Sequence, residues 1–111
     1  MSVSTIIFPV RDRDAAKSVF TALLGAEPYV DESYYVGYRV DGQEIGLDPN
    51  GHRSGLTGPV PFWAVDDIEA SCAALTAAGV SVTQAPREVG GGRRTAVVTD
   101  PDGNQIGLMQ G

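Results

Sequence analysis

Asp41-Gly-Gln-Glu-Ile-Gly-Leu47 returns as Asp102-Gly-Asn-Gln-Ile-Gly-Leu108, identical at five of seven positions and displaced by 102 − 41 = 61 residues. Self-similarity over such a distance marks a chain assembled from copies of one supersecondary unit, and it constrains the fold more than any local propensity. If the reading is right, the elements before each copy must repeat as well.

They do. Residues 3–10 are β-branched and aromatic and read as a strand, with Pro9 giving an irregular exit. Asp12 or Asp14 caps a helix over 13–24, with Ala16, Phe20, Leu23 and Leu24 on one face and Gly25 as its stop. Extended segments follow at 27–31, 34–40 and 43–48, the last two joined by the tight turn Asp41-Gly42. Residues 49–58 have the composition of a linker. The order then restarts: a strand at 60–65, and a helix capped by Asp66-Asp67 that carries Ile68, Cys72, Leu75 and Ala78 and ends at Gly79. Strands follow at 80–85, 94–99 and 104–110, with turns at Gly90-Gly91-Gly92 and Asp102-Gly103. Val10-Arg-Asp matches Val65-Asp-Asp before each helix, and Leu24-Gly25 parallels Ala78-Gly79 after it. The expected class is α+β: two tandem β-α-β-β-β modules, 1–48 and 59–111, in a single domain of 1–111.

Composition removes several functions. A net charge of −6, from 14 acidic and 8 basic groups, does not suit a nucleic-acid backbone, and no apolar run is long enough for a membrane span. The start of the chain lacks the basic and apolar regions of a secretory signal, so a cytoplasmic location is expected by default. Cys72, the only cysteine, is expected as a small buried core residue. His52, the only histidine, falls in the linker and reads as an exposed loop residue.

Val-Asp-Asp-Ile-Glu-Ala at 65–70, followed by Asp-Pro-Asp-Gly-Asn-Gln-Ile-Gly-Leu at 100–108, resembles the vicinal oxygen chelate superfamily. That group includes glyoxalase I, extradiol dioxygenases, and fosfomycin- and bleomycin-resistance proteins. The resemblance implies two β-α-β-β-β modules whose strands form an open half-barrel sheet around a cavity, with helices outside. It also implies a homodimer. Strand alternation then sends Ile45, Leu47, Ile106 and Leu108 to the helix side, and Glu44, Gly46, Gln105, Gly107 and Met109 to the cavity side. Phe62 shares the cavity side with Val60, whereas Trp63 is expected to face the helices as core. Tyr35 points opposite to Tyr34 and Tyr38.

Metal-dependent relatives implied by this resemblance hold a divalent ion with side chains from the first and last strands of each module. Here those positions carry Thr5, Val60, Gly46 and Gly107, none of which supplies a carboxylate or imidazole. A transition-metal site normally needs three or four nitrogen, oxygen or sulfur ligands, so no metal and no cofactor are expected. The two glycines instead suggest room for a flat or bulky ligand. Asp100 and Asp102 read as turn chemistry around Pro101. The glycine-rich stretch before Arg93 and Arg94 lacks the features of a phosphate loop and reads as a flexible hairpin connection, with Arg93 or Arg94 able to reach the cavity mouth.

The expected function is metal-independent binding or sequestration of a small hydrophobic or aromatic molecule, similar to bleomycin resistance. Thr5, Ile7, Tyr35, Glu44, Gly46, Val60, Phe62, Gln105, Gly107 and Met109 are the expected ligand-binding residues, and no catalytic residue is assigned. Two alternatives stay open: a glyoxalase- or dioxygenase-type metalloenzyme with an atypical ligand set, and a metal-free isomerase or cyclase of natural-product metabolism using Glu44 or a tyrosine.

Overall fold

The computed structural model describes residues 1–111. Its elements are β1 (Val3–Pro9), α1 (Arg13–Leu24), β2 (Val30–Glu32), β3 (Tyr35–Val40), β4 (Gln43–Asp48), β5 (Val60–Ala64), α2 (Ile68–Ala77), β6 (Ser81–Gly90), β7 (Arg93–Thr99) and β8 (Gln105–Gln110). The β-α-β-β-β order occurs twice, and the fold is α+β. Two compact units make up the chain: Ser4–Val60, and Pro61–Gly111 together with Met1–Val3.

In the first unit the strands lie in the order β2-β3-β4-β1, with β1 parallel to β4 and the other pairs antiparallel. The second unit repeats this as β6-β7-β8-β5, again with one parallel pair, β5 and β8. Asp41 (φ 52°) and Gly42 (φ 80°) both adopt the left-handed backbone of a primed two-residue hairpin, which is why this dipeptide joins β3 to β4.

Each helix starts where an aspartate oxygen takes up a free N–H of the first turn. Asp12 accepts from Ala15 N at 3.0 Å and Asp67 from Ala70 N at 3.0 Å. Helix α1 stops at Gly25, whose φ of 64° allows its N–H to reach the Thr21 carbonyl. Helix α2 is capped by Ala78 instead, with Gly79 one residue further on.

Alternation along the strands sorts the two faces as expected. In the first unit Val36, Tyr38 and Leu47 are fully buried, and Phe8, Val10, Ile45 and the α1 residues Ala16, Phe20 and Leu24 pack on them. Tyr38 brings its hydroxyl into this layer by donating to the Lys17 carbonyl at 3.0 Å and pairing with Thr21 Oγ1 at 2.8 Å. In the second unit Ile68, Cys72, Ala96, Val98 and Leu108 form the core, supported by Val65, Leu75, Val80 and Ile106. Burial, and secondarily Glu69, pushes the Cys72 thiol above its ordinary pKa, as suits a packed core thiol.

Several expectations fail at the margins. Leu23 is 71% exposed, because α1 packs through the Ala16, Phe20, Leu24 row and Leu23 lies off its flank. Ala78 is an exposed cap, outside the apolar stripe of α2. Trp63 is on the helix side but only half-buried. With Val65, Leu75, Ile106 and Leu108 it borders an open apolar depression of about 410 Å³, since Ser71 and Ala74 of α2 are too small to cover the indole. Tyr34 lies in the turn before β3, 64% exposed. Strand β2 begins only at Val30, after Pro28, which has no N–H to give to a ladder.

Strand β6 runs five residues beyond the expected 85, through Pro86, Arg87 and Glu88 to Gly90. It is almost wholly exposed, and its pairing to β7 is interrupted three times by register shifts.

Residues 49–58 form an ordered turn rather than a loose tether. The Ser54 amide donates to the Asn50 carbonyl at 3.0 Å and Leu56 N to Gly51 O at 2.9 Å, while Leu56 is buried. Gly51 allows this: a side chain there would bring Cβ to 2.6 Å from Pro9 Cβ and 2.9 Å from Pro9 Cα. His52 is consequently half-buried, not a freely exposed loop residue. No helix is long and apolar enough to cross a membrane.

Candidate functional site

Thr5, Ile7, Tyr35, Glu44 and Gly46 fall on the strand face of the first unit that is turned away from α1. Register brings them together: Thr5 lies opposite Glu44 and Ile7 opposite Gly46 across β1 and β4, while Gly37 faces Gly46 across β3 and β4. The Tyr35 ring lies flat over the Gly37–Gly46 pair. A Cβ built on Gly37 would stand 2.9 Å from Tyr35 Cε2, and one on Gly46 would overlap the Tyr35 hydroxyl and lie 2.7 Å from Ile7 Cδ1. The room expected above Gly46 is therefore filled by the chain's own phenol.

That phenol is anchored by the one acidic side chain on this expected site. Tyr35 Oη donates to Glu44 Oε2 at 2.8 Å, and the Glu44 side chain is only 18% exposed. Arg39, opposite Glu44 in register, approaches Oε1 at 3.9 Å and stacks its guanidinium 4.2 Å from the centroid of Tyr29. Tyr29, Arg39, Glu44 and Tyr35 thus make a row in which an ion pair is flanked by a ring at each end.

The second unit solves the same packing problem with a different strand. Gly107 lies opposite Phe62 of β5 and Val97 of β7. A Cβ on Gly107 would sink into the Phe62 ring, with Cδ1 at 2.6 Å and Cγ and Cδ2 closer still. Phe62 is 7% exposed and Val97 1% exposed. Met109 pairs with Thr95 and Ala64, and Gln105 with Thr99, both half-buried on this side. Val60, at the start of β5, is fully buried and Thr5 nearly so. The ring over the glycine comes from β3 in the first unit and from β5 in the second.

Neither glycine position can accept a metal-binding carboxylate without expelling a ring, and the first-strand positions hold a threonine and a valine. No group of three or more His, Cys, Asp or Glu side chains is arranged to hold a metal ion. The residues present do not fit the divalent site expected of metal-dependent relatives.

Two other candidates resolve as structure. Asp100 Oδ1 accepts from Asp102 N at 3.0 Å and Asn104 N at 2.7 Å, and its other oxygen pairs with Asn104 Nδ2 at 3.0 Å. Those donors, the Asn104 side chain first, hold the Asp100 carboxyl below its ordinary pKa. Arg94 does not reach toward the expected cavity. Its guanidinium binds Glu69 of α2 at 2.7 Å, and that pairing raises its pKa.

The glyoxalase/bleomycin resistance protein/dioxygenase family model matches residues 2–108. The chain belongs to that superfamily. Among solved structures it is similar to a superfamily member from Vibrio splendidus 12B01, with 21% identity, a TM-score of 0.72, and 96% of this chain and 95% of that one covered. It is similar to the Mn(II)-bound glyoxalase from Novosphingobium aromaticivorans, with 20% identity and a TM-score of 0.69 over 97% of this chain but 38% of that one. Methylmalonyl-CoA epimerase from Mycobacterium tuberculosis gives 19% identity and a TM-score of 0.66, over 97% and 86% of the two chains. At these identities the likeness establishes the fold alone. A comparison with curated proteins gives no match.

Within the superfamily scaffold, the sequence reading missed Tyr29, Gly37 and Arg39. Gly37 carried a usable signal, since a glycine two residues after Tyr35 in a strand invites the ring to lie on its backbone. Arg39 and Tyr29 carried none, because their partners depend on the pairing of β3 with β4.

Proposed function

We propose that this superfamily member binds a small hydrophobic or aromatic molecule without a resident metal, in the manner of a resistance protein that sequesters its ligand. The observation carrying this reading is the pair of ring-covered glycines at the two last-strand positions, which trade coordinating charge for aromatic surface. Ile7 and Tyr35 of one unit, and Phe62 and Met109 of the other, are the apolar residues of this reading, with Glu44 and Gln105 as polar anchors. The test is metal analysis of the purified protein combined with ligand binding before and after chelation. Substoichiometric metal and chelator-insensitive binding are expected. Stoichiometric nickel, zinc, iron or manganese, with binding lost on chelation, overturns the reading.

One observation favours a second reading, a metal-free isomerase or cyclase. The 2.8 Å contact between Tyr35 Oη and Glu44 Oε2 places a phenol proton beside a carboxylate, an arrangement suited to moving protons. Glu44→Gln separates the two. Loss of turnover with binding retained supports the enzyme, whereas retained function of both kinds leaves Glu44 as a positioning residue for Tyr35.

A further inference from the structure

The turn at 49–55 is pressed onto the end of β1 through Gly51, and this brings His52 and Arg53 beside Arg11. The three side chains line a groove of about 730 Å³ whose apolar part is made by Val10, Pro49 and Leu56. We propose that this groove binds a small organic anion: a carboxylate or phosphate carried on an apolar body.

Charge distribution sets the groove apart. The chain carries 14 carboxylates against 8 Lys and Arg. Arg13, Lys17, Arg39 and Arg94 each face one or more of those carboxylates. Arg11, Arg53, Arg87 and Arg93 form no ion pair, and of these four Arg11 and Arg53 share one groove with the only histidine. The neighbouring acids are engaged elsewhere. Asp12 caps α1 through Ala15 N, and Asp48 Oδ1 accepts from Asn50 N at 2.8 Å.

Two unpaired guanidinium forks suit the planar oxygens of a carboxylate or the oxygens of a phosphate better than a neutral ligand. The volume is within the range of roughly 300–1,000 Å³ typical of small-molecule sites. Leu56 is 5% exposed, so the apolar floor is packed and does not need to be ordered on binding. With an overall charge of −6 the whole molecule repels anions at long range, so recognition has to come from these local contacts.

Because His52 is the only histidine, its imidazole signals report on the groove without assignment ambiguity. The probes are benzoate, phenyl phosphate, inorganic phosphate and neutral benzyl alcohol, followed by ring NMR and calorimetry. Saturable shifts of the His52 ring with an aryl anion, stronger than with inorganic phosphate and absent with benzyl alcohol, are expected. Comparing benzoate with phenyl phosphate tells which headgroup the site takes. The double variant R11Q/R53Q should weaken binding roughly tenfold or more, the usual scale for losing charge-assisted pairs. R87Q/R93Q, which changes the net charge equally at residues that do not line the groove, should leave it unchanged. Should R11Q/R53Q fail to fold, R53Q alone serves, since Arg53 is exposed. Equal loss in both double variants, equal binding of the alcohol, or no saturation with either aryl anion overturns the proposal.

Discussion

Gly107→Ala tests the ring-over-glycine packing most directly. Gly107 does not use a left-handed backbone, so alanine meets no conformational penalty and gains about 0.5 kcal/mol from a stiffer unfolded chain. Sterically the outcome is opposite. The new Cβ falls inside the Phe62 ring, which is 7% exposed and closed in by neighbours. Overpacking of a filled site costs about 1–3 kcal/mol, leaving a net loss of roughly 1–2 kcal/mol and a melting temperature lowered by roughly 5–10 °C. Phe62→Leu alone removes ring volume and costs about 1 kcal/mol or more. Combined, the smaller side chain makes space for the methyl, so the double variant should be more stable than the sum of the singles by about 1 kcal/mol. Urea titration of all four proteins measures this coupling. A neutral Gly107→Ala, or strictly additive singles, would refute the packing argument.

Two further outcomes follow from the titrating groups. Asp100 has a folded pKa below its unfolded one, so the stability it contributes is present above the unfolded value and disappears as pH falls through the folded value. Asp100→Asn should therefore be less stable than the parent at neutral pH and converge with it on acidification; a gap that stays constant to low pH contradicts this. Cys72 is buried and its thiol is pushed upward, so alkylation by iodoacetamide should be slow in native buffer and follow the unfolding curve in urea. Rapid native labelling would show that the core around α2 is open.

What could be read from the sequence was local or periodic. The α1 span, the β4 span and the Asp41-Gly42 turn depend on caps, stops and alternation within a few residues. Alternation also sent Leu47 and Leu108 to the helix side, because a single parity decides a whole strand. The expectation of empty space at Gly46 and Gly107 failed because it treated a missing side chain as a missing occupant. Which ring moves in depends on register across strands distant in sequence, and the two units answered differently, with Tyr35 and with Phe62. Similarly, nothing near His52 in the sequence announces Arg11. That proximity arises only when the turn folds back on Pro9.

The broken pairing of β6 has a consequence for how the protein behaves at high concentration. A sheet edge recruits foreign strands when it offers a continuous row of backbone donors and acceptors. Here the ladder is divided by three register shifts, Pro86 offers no N–H, and Arg87 and Glu88 put opposite charges beside it. Regular pairing of β6 with β7 is limited to Ser81–Val82, Gln84, Arg87–Glu88 and Gly90, so an incoming strand meets an edge with no long regular stretch. Exposed Val82 and Val89 are thereby kept apart as isolated apolar points instead of joining into an adhesive stripe. Straightening this edge, for example by removing Pro86, would turn a self-limiting surface into one open to fibrous growth.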